Sequence, residues 1–217
     1  MEAKTYEIIS INVGKPKNFI YNGKEFVTGI QKQPVDGPVF LSFLNFSGDG
    51  QADLVHHGGR DKAVCVYPYD HYAYWEHELE RKLDVVAFGE NLTVKGLLET
   101  EVCIGDTFQL GEAVVQVSQP RQPCHKIAKK HRVNDLPLRV QHTGYTGFYF
   151  RVLKEGWVET QSSLQLIEKH PLNITVSFAN QIMFHDKTNK EGIEQILRVD
   201  ELSESFRDSL MKRLQSI

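Results

Sequence analysis

The sequence predicts a mainly β protein: a barrel-like core with a few helices, then a small helical appendage. Three observations point there. Short runs rich in β-branched and aromatic residues recur over residues 6–168, separated by Gly, Pro and Asn turn signals. One longer stretch, residues 69–83, has helical spacing instead. After His170-Pro171 the composition changes to three short helical patterns. We place a boundary there, with residues 1–170 as the β domain and 171–217 as a three-helix segment. A chain of 217 residues, 41% of them hydrophobic, suffices for one such core without staples.

Residues 6–13, with Ile8, Ile9, Ile11 and Val13, read as the first strand. Gly14-Lys15-Pro16-Lys17-Asn18 breaks it, and its lysines face either an anion or solvent. Asn22-Gly23 is a hairpin signal within residues 20–26, and strand continues over 27–30. Residues 39–43 form a short apolar run. The loop Ser47-Gly48-Asp49-Gly50 lacks the spacing of an EF-hand.

His56-His57-Gly58-Gly59-Arg60-Asp61-Lys62 combines histidines, two glycines that let a ligand approach the backbone, and two cations. It reads as an anion-binding turn rather than a metal site. Residues 64–67 are a strand in which Cys65 packs as a small hydrophobe. Pro68 ends it, and a helix over 69–83, capped by Asp70, buries Tyr72, Trp75 and Leu79. Gly89 suits an unusual backbone angle, with Glu90 and Asn91 at a strand entrance. A strand around Cys103 and a pair over 108–110 and 113–117 follow.

That last strand delivers Gln119-Pro120-Arg121-Gln122-Pro123-Cys124-His125-Lys126. The two prolines stop the strand and stiffen the corner that presents Cys124. Arg121, His125 and Lys126 surround the thiol, and cationic neighbours favour the thiolate, the form that acts as nucleophile and metal ligand. Residues 127–131 are a basic helical patch, 143–152 a turn and strand, and 156–158 and 164–168 further strands. Thr175 and Ser203 are N-caps in the tail. Leu202, Phe206, Leu210 and Leu214 form a stripe that docks either on the barrel or on a partner.

The formal net charge of -3 argues against a duplex nucleic-acid surface, and no apolar run reaches the length of a membrane span. The N-terminus lacks a signal-peptide pattern. Three cysteines without CxxC spacing suggest neither a disulfide frame nor a zinc or iron–sulfur site, and fit a reducing cytoplasm.

Four motifs taken in order carry a family likeness: His57-Gly58-Gly59, Phe88-Gly89-Glu90-Asn91-Leu92, Ile104-Gly105-Asp106 and Gln119-Pro120-Arg121-Gln122-Pro123-Cys124. Across residues 40–170 the chain resembles the MOSC domain family, named for the molybdenum cofactor sulfurase C-terminal domain. Within it, the chain looks most like the stand-alone bacterial YiiM-like proteins, whose MOSC domain is followed by a three-helix segment. The resemblance implies a barrel related to that of pyruvate kinase and binding of the molybdenum–pterin cofactor. At the level of the domain it also implies pyridoxal phosphate binding. It matches Cys124 to the family's reactive cysteine, which either ligates molybdenum or carries a persulfide. The implied activity is reduction of N-hydroxylated compounds, such as hydroxylaminopurine-type bases and amidoximes. No ferredoxin-like extension is present, so a separate electron-donor protein, a flavin or iron–sulfur reductase, is implied.

On that reading Lys15, Arg60, Lys62 and Arg121 meet the cofactor phosphate, with Gly58 and Gly59 giving close approach. Glu90 and Asn91 bond the pterin edge, His57 donates to pterin or oxo group and serves as a proton source, and Cys124 is the metal ligand and, with His57, the catalytic group. A soft thiolate suits molybdenum. Three rivals stand beside it: a persulfide carrier, a non-catalytic pterin-binding module, and a barrel whose Cys124 is merely structural and resists alkylation. Substrate identity and oligomeric state, a homodimer among the alternatives, stay open.

Overall fold

The computed structural model describes residues 4–21, 23–52 and 58–217. Seven strands close into a barrel: β1 (Thr5–Val13), β6 (Val64–Pro68), β7 (Leu92–Lys95), β8 (Thr107–Leu110), β9 (Ala113–Pro120), β10 (Phe148–Lys154) and β12 (Leu164–Glu168). Around the ring, β1 pairs with β7, β7 with β6, then β10, β9, β8 and β12. The ring closes where Thr5 faces Gln165 and Tyr6 faces Leu164. Only the β6–β7 pair among these is parallel. Closure removes the sheet edges that would otherwise invite pairing with another chain.

Along β1, Tyr6 and Ile8 alternate inward and, past a register shift between Ile8 and Ser10, Ile11 turns inward too; they pack in one cluster with Phe108, Phe148, Phe150 and Val115. Three smaller elements decorate the ring. The hairpin β2 (Lys17–Tyr21) and β3 (Lys24–Thr28) stands apart as its own two-stranded sheet. β4 (Gln33–Pro34) adds to the end of β1, and β5 (Val39–Leu41) pairs with β11 (Gly156–Val158).

A second apolar cluster covers the side of the barrel near β6. Helix α1 (Tyr72–Glu78) presents Tyr72 and Trp75 to Tyr67 and Phe88, and α2 (His125–His131) and α3 (Leu136–Thr143) add Ile127, Leu136 and Val140. The Trp75 indole N–H donates to the Tyr67 hydroxyl at 2.7 Å, so the buried ring keeps a polar partner. Helix α1 is shorter than its spacing predicts. Glu80 turns left-handed at φ 50°, and the Glu76 carboxylate takes Lys82 Nζ at 2.8 Å and the Leu83 amide at 3.1 Å, which stabilises the turn. Asp70 does not cap it. Its carboxylate accepts from the Gly96 amide at 2.8 Å, across to the end of β7. The expected strand around Cys103 is instead a turn, fixed by the Asp106 carboxylate accepting the Cys103 amide at 2.8 Å, with one isolated bridge to Thr175.

The tail folds as α4 (Val176–Asn180) running into a π-helical turn at Gln181–His185, then α5 (Lys190–Leu197) and α6 (Glu204–Ser216). The Thr175 and Ser203 hydroxyls accept from the Phe178 and Phe206 amides, the capping their sequence predicts. Leu202, Phe206 and Leu210 pack with Ile182, Ile193, Ile196 and with Ile104 of the β domain, so the stripe is spent on this chain's own interior.

Candidate functional site

Strand β9 runs three residues past the β-branched run, and its last residue, Pro120, still faces Phe148 on β10. The chain then turns. The Arg121 amide donates to the Gly147 carbonyl at 3.0 Å, and its guanidinium reaches inward to donate to the Phe88 carbonyl at 2.6 Å. Cys124 follows in extended conformation, immediately before α2, and is half-buried.

Beside it lies a cleft open to solvent. One wall is the corner itself, with Arg121, Gln122 and Cys124; Lys126 stands at its edge. Residues 28–30 with Lys32, and residues 50–52, also line it. Cys65 and Tyr149 come from barrel strands, Asn91 from the residue before β7 and Lys62 from the turn before β6. Absent side chains make the walls meet: a Cβ on Gly29 would lie 2.5 Å from the Gly50 carbonyl oxygen. Gly89, at φ 76°, packs so closely on Ile30 that a Cβ would fall 2.5 Å from its Cγ1.

The cleft is cationic at depth. Arg121 is buried and permanently charged. Lys32 is buried too, ion-paired with Asp49, whose carboxylate also accepts the Gly14 amide and Asn91 Nδ2, at 2.9 and 2.8 Å. Two neutral donors face the same space. Burial pushes the Cys65 thiol up, with Arg121 opposing, and burial also pushes the Tyr149 hydroxyl up, so both hold their protons at neutral pH. Behind the 86–89 turn, burial pushes the Lys130 ammonium down to about 8, Glu90 opposing and Arg121 and Lys32 adding repulsion.

Of the residues the sequence nominates, Lys62, Asn91, Arg121 and Cys124 line this cleft. Gly58 and Gly59 lead into the single helical turn Arg60–Lys62, with Gly59 at φ 93°. Arg60 itself lies over the Phe43 ring, 4.7 Å from its centroid, and is absent from the lining, as is the exposed Lys15. Asn91 spends its amide on the fold as well as on the wall, accepting from the Cys65 amide at 3.1 Å and donating to the Asn12 carbonyl at 3.2 Å. Glu90 does not face the cleft. It is fully buried and accepts from the Tyr72 hydroxyl, the Phe88 amide and the Thr93 hydroxyl, which holds the 86–91 turn together. His57 lies outside the described residues. Sequence reasoning missed Lys32, Tyr149 and the 28–30 and 50–52 segments, and took Cys65 only for packing. No local pattern marks Lys32 among its glutamines.

One half-exposed thiol, set among buried cations and small residues, suits a metal that brings its own chelating group and carries a phosphate. Comparison with known proteins agrees in class. Residues 53–165 match the MOSC domain, and the chain belongs to that family. Residues 174–216 match the YiiM-like, 3-alpha helix domain. The chain is 57% identical to protein YflK of Bacillus subtilis (strain 168), over 98% of this chain and 96% of that protein. The crystal structure of YiiM from Geobacillus stearothermophilus superposes with a TM-score of 0.83 at 42% identity, covering 96% of this chain and 99% of that one. A Gibberella moniliformis (strain M3125 / FGSC 7600) protein named Reductase is 37% identical over 75% of this chain, which spans 29% of that longer protein.

Proposed function

We propose that this MOSC protein is a molybdenum-cofactor-dependent reductase of N-hydroxylated compounds, hydroxylaminopurine-type bases and amidoximes among them. The observation that carries the reading is Cys124, half-buried at the edge of a cleft whose interior holds Arg121 and Lys62. The name Reductase on the fungal relative supports the reaction class. Cys124 would supply a soft thiolate ligand, while Lys62 and Arg121 would hold the phosphate. When bound, the cofactor supplies two-electron, oxygen-accepting chemistry. The overall change takes R–NHOH, two electrons and two protons to R–NH2 and water. Tyr149 and Cys65 keep their protons and offer the substrate neutral hydrogen-bond donors. The electrons come from a separate donor protein. The three cysteines are free thiols, which suits a cytoplasmic setting, and among the described residues no helix is long and apolar enough to cross a membrane.

Purification from a molybdenum-sufficient host, metal analysis and a hydroxylamine-reduction assay with an artificial donor test this. Near-stoichiometric molybdenum that is lost in Cys124→Ala, together with turnover, is the expected result. Cyanolysable sulfur without molybdenum would instead establish the persulfide carrier. Cofactor without turnover would establish a binding module.

A further inference from the structure

Two charged walls of the cleft are fastened to the same point, the start of α6. The first is the Arg60–Lys62 turn. Its Asp61 carboxylate accepts Arg151 Nε and Nη2 on one oxygen, at 2.9 and 2.7 Å, and the Glu204 amide on the other, at 3.2 Å. The Asp61 carbonyl accepts the Ser118 hydroxyl at 2.5 Å. The second wall is the corner after β9. There Gln119 Oε1 accepts the Ser203 hydroxyl at 2.7 Å and the Ser205 hydroxyl at 3.3 Å, while Gln119 Nε2 donates to the Pro120 carbonyl at 2.9 Å. The Ser203 amide donates to the Ser118 carbonyl at 2.9 Å.

Asp61 precedes Lys62, and Gln119 lies two residues before Arg121. Neither Asp61 nor Gln119 lines the cleft. We propose that the helical segment is a positioning part of the site: the first turn of α6, through Asp61 and Gln119, holds the Lys62 turn and the Arg121–Cys124 corner at the spacing that an anionic ligand needs. Asp61 and Gln119 are thus positioning residues, acting on Lys62 and on the Arg121–Cys124 corner. The claim rests on reading the cleft as an anion site but not on molybdenum or on reduction.

Helix geometry supplies a clean probe. Glu204 is the first residue of α6, where proline is well tolerated because that amide has no partner within the helix. Ser203, at φ -57° and ψ 144°, already has the extended backbone that precedes proline. Glu204→Pro therefore removes the donor and sets its ring Cδ against the Asp61 carboxylate, which breaks this contact with little cost to the helix itself. Gln119→Ala deletes both serine contacts, and Ser205→Ala deletes one of them.

Two readouts use the metal-free full chain: calorimetric affinity for inorganic pyrophosphate, and the rate of Cys124 alkylation by iodoacetamide across pH 6–9, with the site located by mass spectrometry. The expected result is pyrophosphate affinity at least about threefold weaker in Glu204→Pro. In Gln119→Ala the alkylation rate or its pH profile should move about as much, and in Ser205→Ala it should move in the same direction by less. If both variants melt like the wild type and match it in both readouts, the proposal is overturned. Should wild type bind no pyrophosphate, the anion-site reading fails, and an unchanged alkylation profile in Gln119→Ala and Ser205→Ala then overturns the clamp as well. A chain that never carries molybdenum yet shows these shifts would sink the reductase reading alone.

Discussion

Lys32 and Asp49 form an ion pair almost out of reach of water, their side chains 7% and 0% exposed. Removing one partner strands the other's charge. Lys32→Met should therefore cost about 3–5 kcal/mol of unfolding free energy. The check is a urea titration at pH 7. A loss below about 1 kcal/mol would mean that water reaches the Asp49 carboxylate.

Glu90 predicts a variant that harms the fold first and the site only through it. Its carboxylate satisfies three buried donors. Glu90→Ala leaves them unpaired and should destabilise by about 3–5 kcal/mol. On the proposed reading, molybdenum content per folded molecule should fall less than in Arg121→Ala, because the carboxylate does not line the cleft but holds the turn that carries Gly89 and Asn91. Parallel melting and metal analysis on the soluble fraction separate the two effects.

Arg121 should behave differently from Glu90, with the site failing along with stability. Arg121→Ala removes the buried cation and leaves the Phe88 carbonyl without its 2.6 Å donor. We expect molybdenum loading to fall to background and stability to drop by about 2–3 kcal/mol. Arg121→Lys keeps the charge but not the reach or the fork, and should restore stability better than loading.

Lys130 gives a pH signature. Its folded value, about 8, lies below its ordinary 10.5, so the unfolded chain binds the proton more tightly. Burial of Lys130 therefore costs stability below pH 8. That cost, about 3 kcal/mol, fades as pH rises from 8 toward 10.5. Relative to Lys130→Met, the wild type should gain stability over that window and stay at a constant offset from pH 6 to 7. Paired urea midpoints across pH 6–10 measure the difference, and a pH-independent offset would contradict it.

Local chemistry made much of the architecture legible before the fold was seen. The β-branched run Ile8, Ile9, Ile11 and Val13 marked β1, Asn-Gly marked the hairpin, and Thr175 and Ser203 marked two helix starts. Helix α3 was missed although Pro137 in its first turn and Gly144, at φ 73° just past its end, are ordinary start and stop signals. The aromatic run after Thr143 drew the eye to strand. At the site, the corner from Gln119 to Cys124 could be read because one continuous segment builds it. Lys32 and Tyr149 could not, since Tyr149 reaches that corner through the pairing of β10 with β9, and Lys32 from a segment some ninety residues earlier in the chain. Glu90 and Arg60 misled for a different reason. A charged residue beside a glycine-rich turn signals equally a ligand contact, a buried hub or a stacked surface group, and composition does not choose among them.

The ring closes by pairing β1 with β12, the first and last of its strands in chain order. During synthesis β1 can meet β7 once about half the chain has emerged, but its other edge, apart from the Asn12–Val13 end that β4 covers, waits for residues 164–165. Contacts so distant in sequence make for slow folding. The open intermediate exposes a β-branched edge that invites association with neighbouring chains. Expression at reduced temperature or a slowed ribosome should therefore raise the yield of this protein more than any change to its finished surface.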